Sequence, residues 1–160
     1  MMSMFSTRGP TANRLGLAAV LFMVVTSVAS LFTARADAPP CRYALTAGTA
    51  TDASTGLTWQ RAVSSPPQSW SDATAYCGSL MLEGGGWRTP TIYELQTIVD
   101  ESEHDPAIDV KSFPSTPSEY FWSSTEAASN PFDAWVVAFF DGSAFPFDTA
   151  SPSGRVRCVR

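Results

Sequence analysis

The feature that most constrains the fold is the stretch GGGWRTPTIYELQTIVD, from Gly84 to Asp100. Thr91 followed three residues later by Glu94 forms a capping-box pattern, which marks the first turn of a helix. An apolar stripe follows at helical spacing: Ile92, Leu95, Ile98 and Val99. The preceding glycines match the spacing of neither a phosphate loop nor a dinucleotide-binding loop. They therefore predict a tight connection into a helix rather than a nucleotide site.

Residues 1–36 have the organisation of a secretory signal peptide. Arg8 and Arg14 precede an uncharged run over residues 15–32, and Ala34-Arg35-Ala36 is a small-x-small cleavage pattern. An uncleaved membrane anchor is the alternative, because a run of 18 residues is at the lower limit for a spanning helix. We expect a secreted, periplasmic or envelope protein. Residues 37–48 then form a lead-in, and residues 49–160 form one domain.

The charge of the mature chain excludes some classes of ligand. Without Arg8, Arg14 and Arg35, 7 basic residues face 15 acidic ones, a net charge of −8. Such a surface repels nucleic acid and anionic lipid over most of its area. It also argues against anionic sugars as ligands.

The three cysteines, Cys41, Cys77 and Cys158, belong to an oxidising compartment if the leader is a signal peptide. One disulfide and one spare thiol is the simplest arrangement. Composition does not show which two of the three cysteines form the disulfide. The spare thiol would be free or would join two chains.

The order of predicted elements indicates an α+β fold. A hairpin turning at residues 52–56 precedes a helix capped by Ser69 or Ser71, and the capping-box helix comes next. A long acidic loop follows Asp100, and then come strands within FWSSTEA, DAWVVAFFDGSAFPF and GRVRCVR. Runs of one element type, rather than alternation of strand and helix, favour an antiparallel sheet.

The sequence contains no clear pattern of a catalytic site or of a metal site. The one histidine, His104, lies in the acidic loop without a defined nucleophile turn, and no Cys-x-x-Cys spacing occurs. The loop's carboxylates, which include Asp105 and Asp109, could surround Ca²⁺, but they do not follow an EF-hand pattern. We expect no metal, no cofactor and no enzymatic activity.

Aromatic residues are numerous for one small domain. Most are expected in the core, and four tryptophans belong to the predicted structural motifs: Trp59, Trp87, Trp122 and Trp135. Phe121, Phe145 and Phe147 could instead form an exposed platform of the kind that stacks on sugars or grips a protein. Together with Asp105 and Asp109 they form the candidate ligand surface.

Six segments occur in an order that resembles the Lcl C-terminal domain family of bacterial proteins, a domain of unknown function: TDASTGLTWQR, WSDATAYCGSL, GGGWRTPTIYELQTIVD, AIDVKSFPSTPSEYFWSST, AWVVAFFDG and RVRCVR. The resemblance implies a C-type-lectin-like fold with two helices on a small, irregular antiparallel sheet and adjacent N- and C-terminal strands. It also implies a Cys77–Cys158 disulfide. The element with Trp87, Arg88, Pro90, Thr91 and Glu94 is similar to the helix-entry corner of formylglycine-generating-enzyme-like domains.

The resemblance does not extend to the sugar-binding and catalytic motifs of related domains. The chain lacks the Glu-Pro-Asn, Gln-Pro-Asp and Trp-Asn-Asp motifs of calcium-dependent sugar binding, and it has Cys158 alone where related oxidising enzymes have a cysteine pair. We therefore expect a non-enzymatic binding module for a surface polysaccharide or a protein, with an adhesion-type role. The alternative is an assembly protein of the envelope that dimerises through Cys41.

Overall fold

The structure is a computed structural model that describes residues 41–160. The predicted signal peptide, residues 1–36, and the start of the lead-in lie outside this part of the chain. Within residues 41–160, no helix combines the length and the apolar character needed to cross a membrane.

The first sheet has three short antiparallel strands in the order β1–β2–β3: β1 (Tyr43–Leu45), β2 (Thr49–Asp52) and β3 (Thr58–Gln60). The predicted hairpin is confirmed, and Ala50 on β2 lies opposite Trp59 on β3. In the turn, the Asp52 carboxylate accepts hydrogen bonds from the amide and hydroxyl of Ser54. Gly56 has a φ of +74°, a conformation that glycine adopts without strain.

The C-terminal segment, residues 154–160, runs between β3 and the chain ahead of the second helix. Val159 bridges Trp59 on one side and Arg88 on the other, and the Gln60 amide donates to the Cys158 carbonyl at 2.9 Å. The sequence predicts a strand here, and the structure has isolated bridges instead. The segment changes partners too often to build a continuous ladder with any one of them.

The first helix, α1 (Trp70–Ser79), begins where serine capping predicts. Ser69, rather than Ser71, is the N-cap, and its hydroxyl accepts from the Asp72 amide. Ala73 and Cys77 lie one turn apart and are both buried. Cys77 forms a disulfide with Cys158 across 81 residues, which confirms the pairing that the family resemblance implies.

The glycine run makes the connection between the helices. A short 3₁₀ turn, Leu82–Gly84, follows α1, and the three glycines have φ values of +96°, +86° and +80° at Gly84, Gly85 and Gly86. Consecutive left-handed residues of this kind are strained for any side chain with a Cβ. The run therefore directs the chain from α1 into the next helix, as its sequence indicates.

The second helix, α2 (Ile92–Gln96), has the predicted capping box. The Thr91 hydroxyl accepts from the Glu94 amide, and the Glu94 carboxylate accepts from the Thr91 amide at 2.8 Å. The helix is shorter than the apolar stripe predicts. The Thr97 carbonyl accepts from Arg42 Nη2 at 2.7 Å, so it is occupied by a side chain instead of extending the helical hydrogen bonds. Ile98 follows in a turn, and it is still buried.

The second sheet is also antiparallel, in the order β4–β5–β6: β4 (Tyr120–Glu126), β5 (Asp133–Ala138) and β6 (Ala144–Asp148). α2 packs against β4 and β5. A register shift interrupts the β4–β5 pairing between Trp122 and Glu126. The α+β class is confirmed, with two three-stranded sheets in place of the single small sheet that we expected.

Two groups of buried side chains form the core. The first surrounds α2 and includes Trp59, Leu95, Ile98, Phe113 and Phe121. The second surrounds the disulfide and includes Ala73, Trp87, Trp122, Val136 and Val156. Gly154 is required at the edge of the second group, since a Cβ there would lie 2.1 Å from the Trp122 indole nitrogen.

We predict that Glu94→Ala lowers the free energy of unfolding by about 1 to 2 kcal/mol, because it removes half of the capping box and the Arg88 ion pair. Glu94→Gln is the matched control, since glutamine can also complete a capping box, and it should cost less. Urea unfolding monitored by circular dichroism measures both. Equal stability of Glu94→Ala and the wild type would contradict this role.

The same ion pair predicts a dependence of stability on pH. Hydrogen bonds from Arg88 lower the pKa of Glu94 from 4.5 to about 2. A carboxyl with a depressed pKa contributes stability above its unfolded pKa and loses that contribution as pH falls through the folded pKa. The stability difference between wild type and Glu94→Gln should therefore shrink between about pH 4.5 and pH 2. A difference that stays constant over this window would be inconsistent with the pair.

The disulfide should contribute substantially to stability, because it closes a loop of 81 residues. The chain-entropy model gives about 4 kcal/mol for a loop of this length. We predict a loss of that order in the double variant Cys77→Ala/Cys158→Ala, measured by thermal and urea unfolding. Cys41→Ala is the matched control and should leave the midpoint unchanged, since Cys41 is exposed and outside the bond.

Candidate functional site

Four half-buried aromatic side chains form one surface of the second sheet, which we call the aromatic face: Tyr120, Phe140, Phe145 and Phe147. Ring centroids of Tyr120 lie 5.9 Å from Phe140, 5.5 Å from Phe145 and 5.1 Å from Phe147. Phe145 and Phe147 share a side of β6 because alternate strand residues point the same way. Phe140 and Phe145 pack edge-to-face on Tyr120, and Phe147 packs on it at a tilt, so the rings support one another while each keeps part of its surface exposed.

The strand β6 presents this face at the edge of its sheet. It pairs with β5 alone, and Pro146 occupies its centre. Proline has no amide to donate, so it is tolerated in an edge strand and discourages the addition of another strand. A ligand is therefore more readily accepted by the side chains of β6 than by its backbone.

The expectation that Phe121 belongs to an exposed platform is wrong. Its side chain is 0% exposed and packs edge-to-face on Phe139 at 4.8 Å. The alternation of β4 explains this, since Tyr120 and Trp122 point toward the aromatic face and Phe121 points into the core around α2. Only Phe145 and Phe147 of the three predicted phenylalanines reach the face.

The acidic loop after α2 lies beside the aromatic face. The Asp105 amide donates to the Phe140 carbonyl at 3.1 Å, and the Ala107 amide donates to the Phe139 carbonyl at 2.7 Å. Asp105 is exposed, whereas Asp109 is half-buried and accepts from the Lys111 amide and the Ser112 hydroxyl. Asp105 is thus an exposed residue joined to Phe140 through the main chain, while the Asp109 carboxylate binds the loop's own Lys111 amide.

The acidic loop does not gather its carboxylates around one point. Within residues 41–160, no three side chains of the metal-ligating types are close enough to share an ion. Asp100 turns inward and accepts from the amide and hydroxyl of Ser102. We therefore derive no calcium chemistry from this loop.

The Trp-Arg-x-Pro-Thr element acts as a structural corner. Arg88 donates two hydrogen bonds to the Glu94 carboxylate, at 2.7 and 2.6 Å, and its backbone pairs with Val159. Trp87 is buried, its indole donates to the Leu82 carbonyl, and the Arg160 guanidinium lies 4.7 Å from its ring centroid. The element joins α2 to the C-terminal segment.

The remaining motif residues are distributed between core and surface. Trp59 and Trp122 are 0% exposed, Pro90 is buried, and Trp135 is half-buried. The Trp122 indole donates to the Gln68 carbonyl at 2.9 Å. Of these motif residues, Trp135 alone keeps part of its surface exposed, as the rings of the aromatic face do.

A concave region elsewhere on the domain was missed by sequence reasoning. A groove of about 500 Å³ runs between residues 61–65 and residues 114–117, with Ala47 and Arg155 also lining it. We call it the arginine groove. The alternation in GRVRCVR puts Arg155 and Arg157 on one side of the chain, opposite Val156 and Cys158, which was the available signal. Nothing in the sequence showed that this side would face residues 60–64.

Residues 48–160 match the family model of the Lcl C-terminal domain. A comparison with curated proteins found no match.

Proposed function

This chain belongs to the Lcl C-terminal domain family, and we propose that it is a secreted or envelope-associated, non-enzymatic module that binds a neutral surface polysaccharide. The observation that carries this proposal is the aromatic face beside the exposed Asp105. A C-type-lectin-like arrangement of its helices and sheets, and export by the predicted signal peptide, are parts of the same proposal.

The aromatic face has the chemistry that a sugar ring requires. Exposed parts of Phe145 and Phe147 offer flat apolar surfaces to the C–H groups of a pyranose, and packing on Tyr120 fixes their orientation. A preordered surface loses little conformational entropy when it binds. This supports recognition of an extended, repetitive ligand by stacking.

Charge supports a neutral sugar over an acidic one at this surface. Asp105 is exposed next to Phe140, and a carboxylate accepts hydrogen bonds from sugar hydroxyls while it repels sulfate or uronate. The net charge of −8 for residues 37–160 also disfavours an acidic sugar. Stacking therefore supplies most of the affinity, and the carboxylate supplies orientation.

The double variant Phe145→Leu/Phe147→Leu tests this proposal. Leucine keeps most of the packing volume and removes the ring faces, so we predict about a tenfold loss of affinity for a neutral glycan. A glycan array first selects the ligand, and isothermal titration calorimetry then measures the wild type and the variant. Binding should change little with NaCl concentration, because stacking carries no ionic component.

Tyr93→Leu is the matched control, because Tyr93 is 79% exposed on α2 and lies outside the aromatic face. It should bind as tightly as the wild type. Unchanged binding by the double variant, or turnover of the glycan by the purified protein, would refute the proposal. An empty glycan array together with binding to a protein in a surface-binding assay would replace the polysaccharide with a protein ligand.

An assembly role is the second candidate, and the exposure of Cys41 favours it. Cys41 is outside the disulfide and lies just before β1. A thiol in that position can join two chains in an oxidising compartment. A dimer in non-reducing electrophoresis that disappears in Cys41→Ser would support this role, and a monomer under both conditions would exclude it.

A further inference from the structure

The arginine groove collects positive charge on an acidic protein. Seven basic residues follow residue 36, and three of them, Arg61, Arg155 and Arg157, lie at this groove or directly behind its wall. One nearby carboxylate, that of Glu119, offsets Arg155 through hydrogen bonds of 2.7 and 3.3 Å. The local charge is therefore opposite in sign to that of the whole chain.

Two arginines, Arg61 and Arg155, line the groove, and hydrogen bonds hold their guanidinium groups in place. Arg61 donates to the carbonyls of Ser112, Thr46 and Lys111, at 2.9, 2.8 and 3.2 Å. Arg155 donates to Glu119 and to the Ser64 carbonyl. A guanidinium has five N–H groups, so three hydrogen bonds leave each arginine two donors for a ligand. Donors fixed in advance in this way bind an anion at a low entropic cost.

Arg157 lies behind both walls of the groove. Its side chain is fully buried, and it donates to the carbonyls of Gln60 and Arg61 on one side and to the Thr116 hydroxyl on the other. Its guanidinium also lies 4.7 Å from the Phe113 ring centroid. It therefore fixes the spacing between residues 60–61 and residue 116, next to the residues that line the groove.

The charge of Arg157 has no counter-ion among residues 41–160. None of the ion pairs in this part of the chain includes it, and its Nε has no hydrogen-bond partner. Burial lowers its pKa to about 9, so it remains mostly protonated near neutral pH. An uncompensated buried charge is costly, and an anion bound nearby offsets that cost.

The lining of the groove selects among anions. Its apolar part consists of Ala47, Ala62, Val63, Pro114 and Pro117. These side chains suit the methylene groups of an aliphatic stem, and no aromatic ring is present among them to stack on a sugar. Guanidinium groups match the planar geometry of a carboxylate. A glutamate side chain has this combination of a short aliphatic stem and a terminal carboxylate.

We propose that the arginine groove is a binding site for acidic peptides, in which a glutamate carboxylate of the partner is held between Arg61 and Arg155. The site is independent of the aromatic face and does not rest on the proposed polysaccharide binding. Arg157 is a positioning residue that fixes the two walls and adds positive potential from behind.

Isothermal titration calorimetry with two matched peptides tests the site. N-acetyl-(Glu)₄-amide should bind the purified protein, and N-acetyl-(Gln)₄-amide should bind at least tenfold more weakly. Affinity for the glutamate peptide should fall as NaCl is raised, because the contact is ionic. Amide chemical-shift changes should centre on residues 62–65 and on Ser115 and Thr116. No binding of the glutamate peptide at millimolar concentration would overturn the proposal.

Two variants locate the binding. Ala62→Trp fills the groove from an exposed position without removing charge, and Arg61→Gln removes one guanidinium. Each should weaken binding of the glutamate peptide at least tenfold. Arg88→Gln is the matched control, because Arg88 pairs with Glu94 away from the groove lining, and it should bind like the wild type.

Several results would contradict the assignment. Unchanged affinity in Ala62→Trp would place the peptide elsewhere, even if Arg61→Gln proved too unstable to measure. Equal binding of the glutamine peptide would remove the role of the carboxylate. Tighter binding of a galacturonate oligomer than of the glutamate peptide would replace the peptide with an acidic polysaccharide.

Discussion

Residues 154–160 contact four separate parts of the chain at once, and the architecture is organised around them. Val159 bridges β3 and the Arg88 backbone, Arg155 bridges β4, and Cys158 is bonded to α1. Each contact joins elements that are distant in sequence. The two sheets and both helices are positioned by this short segment, so the aromatic face and the arginine groove both depend on it.

Arginine has two different roles in this acidic chain. Arg42, Arg88, Arg155 and Arg160 form ion pairs with carboxylates. Arg61 and Arg157 donate instead to main-chain carbonyls and to a threonine hydroxyl. The second role leaves the guanidinium charge unneutralised. A protein with an excess of carboxylates thus keeps a cationic region, because the carbonyls that orient these two arginines do not cancel their charge.

Local patterns predicted local structure well. The Thr91–Glu94 capping box, the hairpin around Asp52 and the glycine turn depend on residues that are close in sequence, and all three are present. The hydrogen bond from Arg42 to the Thr97 carbonyl, just after α2, was not predictable, because the two residues lie more than fifty positions apart in the chain. The burial of Phe121 was missed for a related reason. Because side chains alternate along β4, Phe121 points to the opposite side of the strand from Tyr120 and Trp122. Composition does not show which of these two sides faces the core around α2.

The two functional regions were also only partly predictable, because each combines residues that are distant in sequence. Phe145 and Phe147 were identified by their aromatic character, whereas their neighbours Tyr120 and Phe140 come from β4 and from the turn after β5. The arginine groove combines residues 61–65, 114–117 and 155, which only tertiary structure brings together. The family resemblance supplied the disulfide pairing, which the spacing of three cysteines could not decide.

The dependence of the fold on residues 154–160 also affects when the domain can form during synthesis. A ribosome completes the chain from residue 1 onward, so Trp59 and α1 emerge long before the segment that covers them. Without Val156, Cys158 and Val159, neither core group is complete. Neither core group can therefore close before this segment is available, and the bond from Cys77 to Cys158 can form only once it is.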